Sequence, residues 1–172
     1  METDVIGIDI GGTLAKAIVL DSTSFEIKDQ LTIASSDKGP ELVKIIKSLV
    51  GKLEENTKQS FSTLGLGIAG LTHRSGVVRY SPNLPNLIEF PITIEVENEL
   101  GIPVVIGNDA TVGTIAEWKI GAGKGSENFA LVTLGTGIGA GLVVDGRLLL
   151  GNNGFAGEAG HMTIDVNGPV HI

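Results

Sequence analysis

The sequence predicts an α/β protein with a mixed sheet flanked by helices. Three apolar runs near the start are separated by turn-forming residues, which indicates three consecutive strands. Farther along, apolar runs of strand length alternate with segments of helical periodicity, in the overall order β-β-β-α-β-α-β-α. The 25 glycines of the 172 residues cluster at the ends of the apolar runs, where a chain turns tightly or approaches a ligand. Together these features are typical of a sheet with helices packed against it.

The opening of the chain predicts a strand meander. Val5–Ile10 and Leu14–Leu20 are apolar runs joined by a Gly-Gly pair, as in two strands linked by a tight turn. Residues 25–33 predict a third and more exposed strand, because their apolar side chains alternate with polar ones.

From Pro40 onward the apolar spacing becomes helical. Apolar residues at i, i+3, i+4 and i+7 define one face of an amphipathic helix, namely Leu42, Ile45, Ile46, Leu49 and Leu53. Pro40 fits the first turn, where a backbone N–H would have no helical partner. Next come a strand over 64–69, a helix over Ile92–Leu100, a strand over 104–106 and a helix over 110–120.

The strand pattern restarts after a predicted loop over 121–128. Strands are predicted over Phe129–Leu134 and Ile138–Val144, and a third begins within 147–150. The restart indicates a second sheet.

An internal repeat accompanies this restart. Segment 8–13 aligns with segment 132–137, so that two hairpins each open a sheet and each carry a turn of glycine and threonine. Any two apolar hairpins with glycine turns share this likeness, so the repeat alone is only suggestive. We predict a first domain over 1–121 and the start of a second over 122–172.

Composition and charge exclude several classes of protein. Twenty Asp and Glu residues against twelve Lys and Arg give a net charge of −8, which disfavours a nucleic acid or an anionic membrane as partner. The chain has no cysteine, so it forms neither disulfides nor thiolate zinc sites. The start lacks a signal-peptide pattern, and the longest uncharged stretch, 129–144, falls short of the roughly 18 apolar residues of a membrane span. We therefore expect a soluble cytoplasmic protein.

The first glycine turn can bind phosphate. Gly11 and Gly12 expose backbone N–H groups and let a phosphate approach without a Cβ clash, and Thr13 can donate its hydroxyl. A carboxylate beside a phosphate is unfavourable without a cation, so Asp9 would hold Mg²⁺, through water. An ordinary hairpin with a Gly-Gly turn and a solvated Asp9 explains the motif equally well.

The second glycine turn, Gly135-Thr136-Gly137, can grip phosphates from the other side of a cleft. An apolar strand follows it where a dinucleotide-binding motif needs a helix. The nearby Lys124 does not belong to a P-loop, since Gly125 follows it in place of Ser or Thr. Two glycine turns that face each other across a cleft are much rarer than a single glycine turn, so the pair is the more specific sign of a phosphate site.

Polar residues lie where a predicted strand meets the next helix, the position at which α/β proteins place ligands. There Asp109 could accept a proton from a substrate hydroxyl, and Asn108 could bridge two hydroxyls. Asp and Asn are also good helix N-caps, which the local pattern favours. Glu158 and His161 form a further candidate pair for binding hydroxyls, although a lone histidine near an apolar segment is more often structural.

A set of motifs occurs in order along nearly the whole chain. They are DIGGT at 9–13, GLGIAG at 65–70, YSPNLPN at 80–86, GIPVVIGNDA at 101–110, TLGTGIGAGLVVDG at 133–146 and AGEAGHM at 156–162. Each is common alone, but the ordered set is specific and resembles the ROK family (repressors, open reading frames and kinases), in particular its glucokinase-type enzymes. The resemblance implies the ribonuclease-H-like fold shared by actin, heat-shock ATPases and sugar kinases, with two such domains and a cleft between them.

The resemblance also implies an activity and a role for each motif. It implies ATP-dependent phosphorylation of the 6-hydroxyl of a hexose, with glucose as the first expectation and Asp109 as the general base. The sugar would contact Asn108, Asp109, Glu158 and His161, with Gly70 and Asn83 lining the pocket. The phosphates and Mg²⁺ would contact Asp9, Gly11, Gly12, Thr13, Gly135, Thr136 and Gly137.

The chain departs from the family pattern near its end. Many relatives carry a cysteine-rich zinc motif after the histidine that matches His161, and then another sugar-binding glutamate. This chain has no cysteine, so no zinc is expected. It is expected to be a fragment without the family's adenosine pocket, in which apolar strands over 129–150 remain uncovered and drive assembly into a homo-oligomer.

Three functions stay open at this point. The first is a sugar kinase whose partners are a sugar and a nucleotide. The second is the sugar-sensing module of a ROK-type repressor, although such proteins carry a helix-turn-helix before the first strand and the DIGGT motif favours ATP use. The third is an inert fragment that keeps the sugar site. The sequence does not identify the hexose. It also does not show whether ATP or polyphosphate is the phosphoryl donor.

Overall fold

A five-stranded mixed sheet and a smaller three-stranded sheet organise the computed structural model, which describes residues 4–135 and 137–168. In chain order the elements are β1 (Val5–Ile10), β2 (Leu14–Leu20), β3 (Ile27–Ala34), α1 (Gly39–Thr57), β4 (Leu64–Ile68), β5 (Leu71–His73), β6 (Val77–Tyr80), α2 (Ile92–Leu100), β7 (Val104–Asn108), α3 (Asp109–Ile120), β8 (Phe129–Leu134), β9 (Ile138–Val144), β10 (Arg147–Leu148) and a 3-10 turn (Ala159–His161). The mixed α/β fold predicted from the sequence is confirmed.

The five-stranded sheet brings three strand ends to one edge. Its strand order is β3-β2-β1-β4-β7, with β1, β2 and β3 in an antiparallel meander and β4 and β7 parallel to β1. Because Ile10 pairs with Ile68 and Ile68 pairs with Asn108, the carboxyl ends of β1, β4 and β7 lie side by side. Ligand sites of α/β proteins form at such an edge.

The main core lies between this sheet and helices α1 and α2. Alternation along β1 buries every second side chain, as at Ile6, Ile8 and Ile10. The apolar stripe of α1 packs into the same core, with fully buried side chains at Leu42, Ile46, Leu49 and Leu53. Burial of each such leucine or isoleucine contributes roughly 1.5–3 kcal/mol. The helix ends where Lys58 adopts a left-handed conformation, with φ of 59°.

Helix α3 lies between the two sheets, the smaller of which has the antiparallel order β10-β9-β8. A Cβ added at Gly107 of β7 would lie 3.0 Å from Val112 of α3, and one added at Gly139 of β9 would lie 3.0 Å from Ala110 of α3. Glycines in both sheets therefore let α3 approach closely on each side. Since α3 packs on the second sheet as well as the first, the predicted domain boundary at 121 stays a prediction.

A second contact between the two parts of the molecule, here called the junction, joins the β5–β6 hairpin to the loop after β10. Arg74 donates from Nη1 to the carbonyl of Asn152 at 3.1 Å and from its backbone N–H to the carbonyl of Asn153 at 3.3 Å. His73 meets Phe155 edge to face, with 6.1 Å between ring centroids. The loop after β10 is therefore held against the hairpin.

Some predicted strand bounds are wrong. β3 begins at Ile27, because Phe25 lies in a turn with φ of 59° and donates its N–H to the carbonyl of Asp21 at 2.9 Å. The predicted strand within 147–150 is limited to its first two residues. β7 extends to Asn108, beyond the predicted end at 106.

The β5–β6 hairpin was not predicted. Its strands are only three and four residues long, and they mix apolar residues with Thr72, His73 and Arg79. Such short mixed segments show no clear periodicity. Within the described part of the chain, no helix has the length and apolarity needed to cross a membrane.

Candidate active-site cleft

A cleft of about 770 Å³ opens between the two sheets. One wall consists of the segments that follow β1, β4 and β7 at the edge of the larger sheet. The other wall consists of the β8–β9 turn and the 3-10 turn Ala159–His161. The cleft therefore lies where the sheet register places three strand ends together.

Most of the predicted site residues line this cleft. They are Asp9, Gly11, Gly70, Asn83, Asn108, Asp109, Gly135, Gly137, Glu158 and His161. These residues are far apart in the sequence, so the fold brings them together.

Two residues of the first glycine turn have a different position. Gly12 and Thr13 are not among the described residues that line the cleft. Thr13 accepts the backbone N–H of Ser35 with its carbonyl at 2.9 Å, which holds the turn against the end of β3. Thr136 of the second turn lies outside the described residues, so its predicted contact with phosphate stays a prediction.

The carboxylates of Asp9 and Asp109 face the cleft from the ends of β1 and β7. Desolvation by the surrounding protein raises the pKa of Asp9, repulsion from Asp109 raises it further, and Lys16, its cross-strand neighbour on β2, lowers it. Negative charge is therefore unfavourable at Asp9. A hard divalent cation such as Mg²⁺ prefers carboxylate oxygens and would relieve this unfavourable charge, so these residues fit such an ion.

Asn108 is the N-cap of α3, as the local sequence pattern favours. Its Oδ1 accepts the backbone N–H groups of Ala110 at 3.0 Å and Thr111 at 3.2 Å. Its Nδ2 donates to the carbonyl of Gly70 at 2.9 Å. The side chain thus ties the start of α3 to the turn after β4, and the amide has a second N–H for a ligand oxygen.

Asp109 is the first residue of α3 and is exposed to the cleft. Its Oδ1 accepts the backbone N–H of Ala110 at 2.9 Å, which orients the carboxylate. A proton acceptor is therefore held at the edge where the three strands end.

The turn at Gly70 requires glycine. Its φ is +126°, a region that residues with a side chain rarely adopt. A Cβ there would lie 2.6 Å from the carbonyl oxygen of Tyr80 and 2.7 Å from Cβ of Ser81. The turn therefore packs directly on the end of β6, and its carbonyl is presented to Asn108.

Glu158 and His161 lie on the opposite wall. Oε2 of Glu158 and Nε2 of His161 are 3.8 Å apart, with 42% and 73% of the two side chains exposed. Glu158 precedes a short 3-10 turn and His161 is its last residue. The turn rests on β9, because a Cβ added at Gly157 would collide with the carbonyl oxygen of Ala140 and one added at Gly160 with that of Ile138. Two polar groups are therefore accessible to a ligand on this side.

Sequence reasoning missed several residues that line the cleft. On α3 these are Val112, Gly113 and Ala116, and Tyr80 at the end of β6 also contributes. The three helical residues follow Asp109 at i+3, i+4 and i+7, so helical periodicity counted from Asp109 could have identified them. Tyr80 depends on the unpredicted β5–β6 hairpin.

The sheet order and the cleft between two sheets define a ribonuclease-H-like α/β protein of the actin and sugar-kinase superfamily, as predicted. The model of the ROK family matches residues 5–171. The chain belongs to the ROK family, which confirms the resemblance inferred from its motifs.

The relatives include both enzymes and regulators. The chain is 34% identical to the glucokinase of Halalkalibacterium halodurans, over 92% of this chain and 49% of that protein. It is 32% identical to the xylose repressor of Bacillus subtilis, over 95% of this chain and 43% of that protein. The chain thus spans about half the length of the curated relatives it matches.

Solved structures agree with this assignment. The crystal structure of a ROK family glucokinase from Streptomyces griseus in complex with glucose and AMPPNP superposes with a TM-score of 0.86 and 32% identity. The match covers 95% of this chain and 51% of that one.

Proposed function

We propose that this chain is part of a sugar kinase that transfers the γ-phosphoryl group of ATP to the 6-hydroxyl of a hexose, with glucose as the first candidate. The observation that carries the proposal is the position of Asp109. Its carboxylate lies in a cleft between two glycine turns, together with Asp9 and a set of polar side chains that suit sugar hydroxyls. The glucokinases among the relatives support the same assignment.

Asp109 acts as the general base in this proposal. Its Oδ1 is held by the N–H of Ala110, so we assign the substrate proton to Oδ2. As the proton leaves the sugar hydroxyl, the oxygen forms a bond to the γ-phosphorus, and the bond from that phosphorus to the bridging oxygen of ADP breaks. Positioning and charge neutralisation carry most of such a reaction.

The sugar is held from both walls of the cleft. Asn108 has an N–H available beyond the one given to Gly70, and it can donate only, because its carbonyl oxygen already accepts two bonds. Glu158 and His161 would bind hydroxyls from the opposite wall. Asn83 lines the cleft beside the Gly70 turn.

The phosphates are held by the glycine turns. Gly11, Gly135 and Gly137 line the cleft, where the lack of a Cβ lets phosphate oxygens approach the backbone. The N–H groups of Gly11 and Gly135 already donate to the carbonyls of Leu14 at 2.9 Å and Gly137 at 3.0 Å, so these two glycines supply space and not donors. Asp9 would hold Mg²⁺, and when bound the ion would neutralise charge on the phosphates. No zinc site is proposed, since the chain has no cysteine.

A second candidate function is sugar sensing. The xylose repressor of Bacillus subtilis is nearly as similar to this chain as the glucokinases are. A sensing module would bind its sugar without turning over ATP. Because that relative is a repressor, the expected absence of a nucleic-acid partner stays a prediction.

Further expectations remain proposals. They are a boundary near residue 121 between the two domains, a cytoplasmic location and assembly into a homo-oligomer. The exposed apolar residues of β8, with Leu134 82% and Val132 54% exposed, support the last of these.

Asp109→Asn tests the proposed function. The change keeps the size of the side chain and removes the proton acceptor, so turnover should fall by about 10²–10⁴-fold. The measurement is coupled ADP release with Mg·ATP and glucose, fructose, mannose or N-acetylglucosamine, alongside sugar binding by calorimetry.

Asp145→Asn is the matched control. Asp145 lies in the β9–β10 turn with φ of 49°, a conformation that asparagine tolerates, and it is not among the described residues that line the cleft. Full turnover in Asp109→Asn would contradict the assignment of the base. Sugar binding without ATP turnover in the unmodified chain would favour the sensing function.

A further inference from the structure

The two glycines of the first turn have different surroundings. Gly11 lines the cleft, and a Cβ added there would lie 3.3 Å from the carbonyl oxygen of Leu14. A Cβ added at Gly12 would lie 2.6 Å from the carbonyl oxygen, 3.1 Å from Cβ and 3.3 Å from the carbonyl carbon of Asn83. Gly12 is therefore packed directly on the backbone of Asn83, with no room for a methyl group.

The segment that carries Asn83 cannot easily move away. The side chain of Leu84 is fully buried, and its N–H donates to the carbonyl of the fully buried Ser81 at 3.2 Å and to its hydroxyl at 3.1 Å. Leu87 is fully buried as well, and its N–H donates to the carbonyl of Leu84 at 2.9 Å. Buried residues on both sides therefore fix the backbone at Asn83.

The glycine turn is fixed too. The N–H of Gly11 donates to the carbonyl of Leu14 at 2.9 Å, and the N–H of Ser35 donates to the carbonyl of Thr13 at 2.9 Å. In addition, Ala69 donates its N–H to the carbonyl of Ile10 at 3.1 Å. Because both partners are held, a larger residue at position 12 must displace one of them.

We infer that Gly12 is a positioning residue for the sugar, acting through Asn83. The inference rests on the proposed function, in which Asn83 lines the sugar pocket. The turn borders the phosphate side of the cleft at Gly11 and supports the sugar side through the contact of Gly12 with Asn83. One turn thereby sets the distance between the donor and the acceptor of the phosphoryl group.

Gly12→Ala tests the inference. Overpacking should shift the Asn83 segment and raise KM for the sugar by about tenfold or more, with KM for ATP changed by less than about twofold. Amide hydrogen exchange should become faster in residues 81–87. The control is Gly51→Ala in α1, where no atom of the described chain beyond the adjoining backbone of the helix itself lies within 4 Å of the added Cβ, so these quantities should not change.

A double-mutant cycle separates positioning from a general loss of structure. Asn83→Ala keeps the backbone contact, lies at an exposed position and should raise KM for the sugar alone. If Gly12 acts through Asn83, adding Gly12→Ala to Asn83→Ala should change KM for the sugar little further. Fully additive effects would overturn the inference.

Two other outcomes would also overturn it. One is a Gly12→Ala variant whose KM rises for ATP and not for the sugar. The other is unchanged exchange in residues 81–87, which would mean that the segment does not feel the added methyl group. If the unmodified chain neither binds nor phosphorylates a sugar, the proposed function fails, and the exchange measurement alone still decides whether Gly12 positions Asn83.

Discussion

The two sheets that form the cleft differ sharply in how well they are covered. In the larger sheet, Ile10 and Leu66 are 0% and 2% exposed beneath helices α1 and α2. In the smaller sheet, Val132, Ile138 and Leu134 are 54%, 54% and 82% exposed. Buried apolar area is the main source of stability, so the larger sheet holds most of it. One wall of the cleft is therefore expected to be more rigid than the other.

The largest effect is expected from Leu66→Ala. Leu66 lies in the central strand pair of the larger sheet, so the cavity should lower the free energy of unfolding by about 2–5 kcal/mol. Urea denaturation followed by circular dichroism measures this loss.

Trp118, the single tryptophan, reports on the region next to the smaller sheet, because its indole N–H donates to the carbonyl of Ser126 at 2.8 Å.

The two probes report separately on the unfolding of the two sheets. If the fluorescence of Trp118 changes at lower urea than the circular dichroism, the smaller sheet unfolds first, as its exposure predicts. If Leu66→Ala were neutral, the larger sheet would not be the main source of stability.

A stabilising change is expected from Asp9→Asn, within the well-packed half. The protein raises the pKa of Asp9 above its ordinary value of 3.8, so ionisation of Asp9 opposes folding increasingly as the pH rises above 3.8 and fully once the pH exceeds the raised pKa. At neutral pH the neutral asparagine should therefore increase the free energy of unfolding, and the gain should shrink as the pH falls below the pKa of Asp9.

Thermal unfolding at a series of pH values between neutral and acidic measures this gain, with Asp145→Asn as the charge-matched control. A gain that stays constant down to acidic pH would contradict the electrostatic cause. In the proposed enzyme the same change should weaken Mg·ATP binding, because a neutral amide binds a hard divalent cation less strongly than a carboxylate does.

The smallest effect is expected from Leu134→Ser. Leu134 is 82% exposed, so the free energy of unfolding should change by less than about 0.5 kcal/mol. Leu134 also lines the cleft. If the exposed apolar side chains of β8 join copies of the chain, the same variant should lower the sedimentation coefficient measured at high concentration. A large loss of stability in the variant would show that the face is covered within the monomer, and the comparison of the two sheets would be wrong.

Elements with long and regular patterns were predictable from the sequence. The alternation in β1 and β2 and the apolar stripe of α1 determine which side chains enter the core, and both agree with the structure. The site residues that precede or follow strands were also predictable, because parallel strand ends meet at one edge of a sheet.

Features that depend on contacts between distant segments were not predictable. The β5–β6 hairpin is too short to carry a period, and the turn at Phe25 depends on a backbone bond to Asp21. The contact of Gly12 with the backbone of Asn83 joins two distant segments, and nothing in the turn itself indicates it. The residues of the turn suggested a binding site, whereas the packing of Gly12 on Asn83 is visible only in the structure.

The junction has a mechanical consequence. The smaller sheet is attached to the larger part of the molecule at two separate places, through its packing on α3 and through the bonds of Arg74 to the loop after β10. A body attached to another at two points keeps a single easy motion, which is rotation about the line joining them. We therefore expect the cleft to widen or narrow by rotation about that axis, which disturbs these contacts less than a sliding movement does.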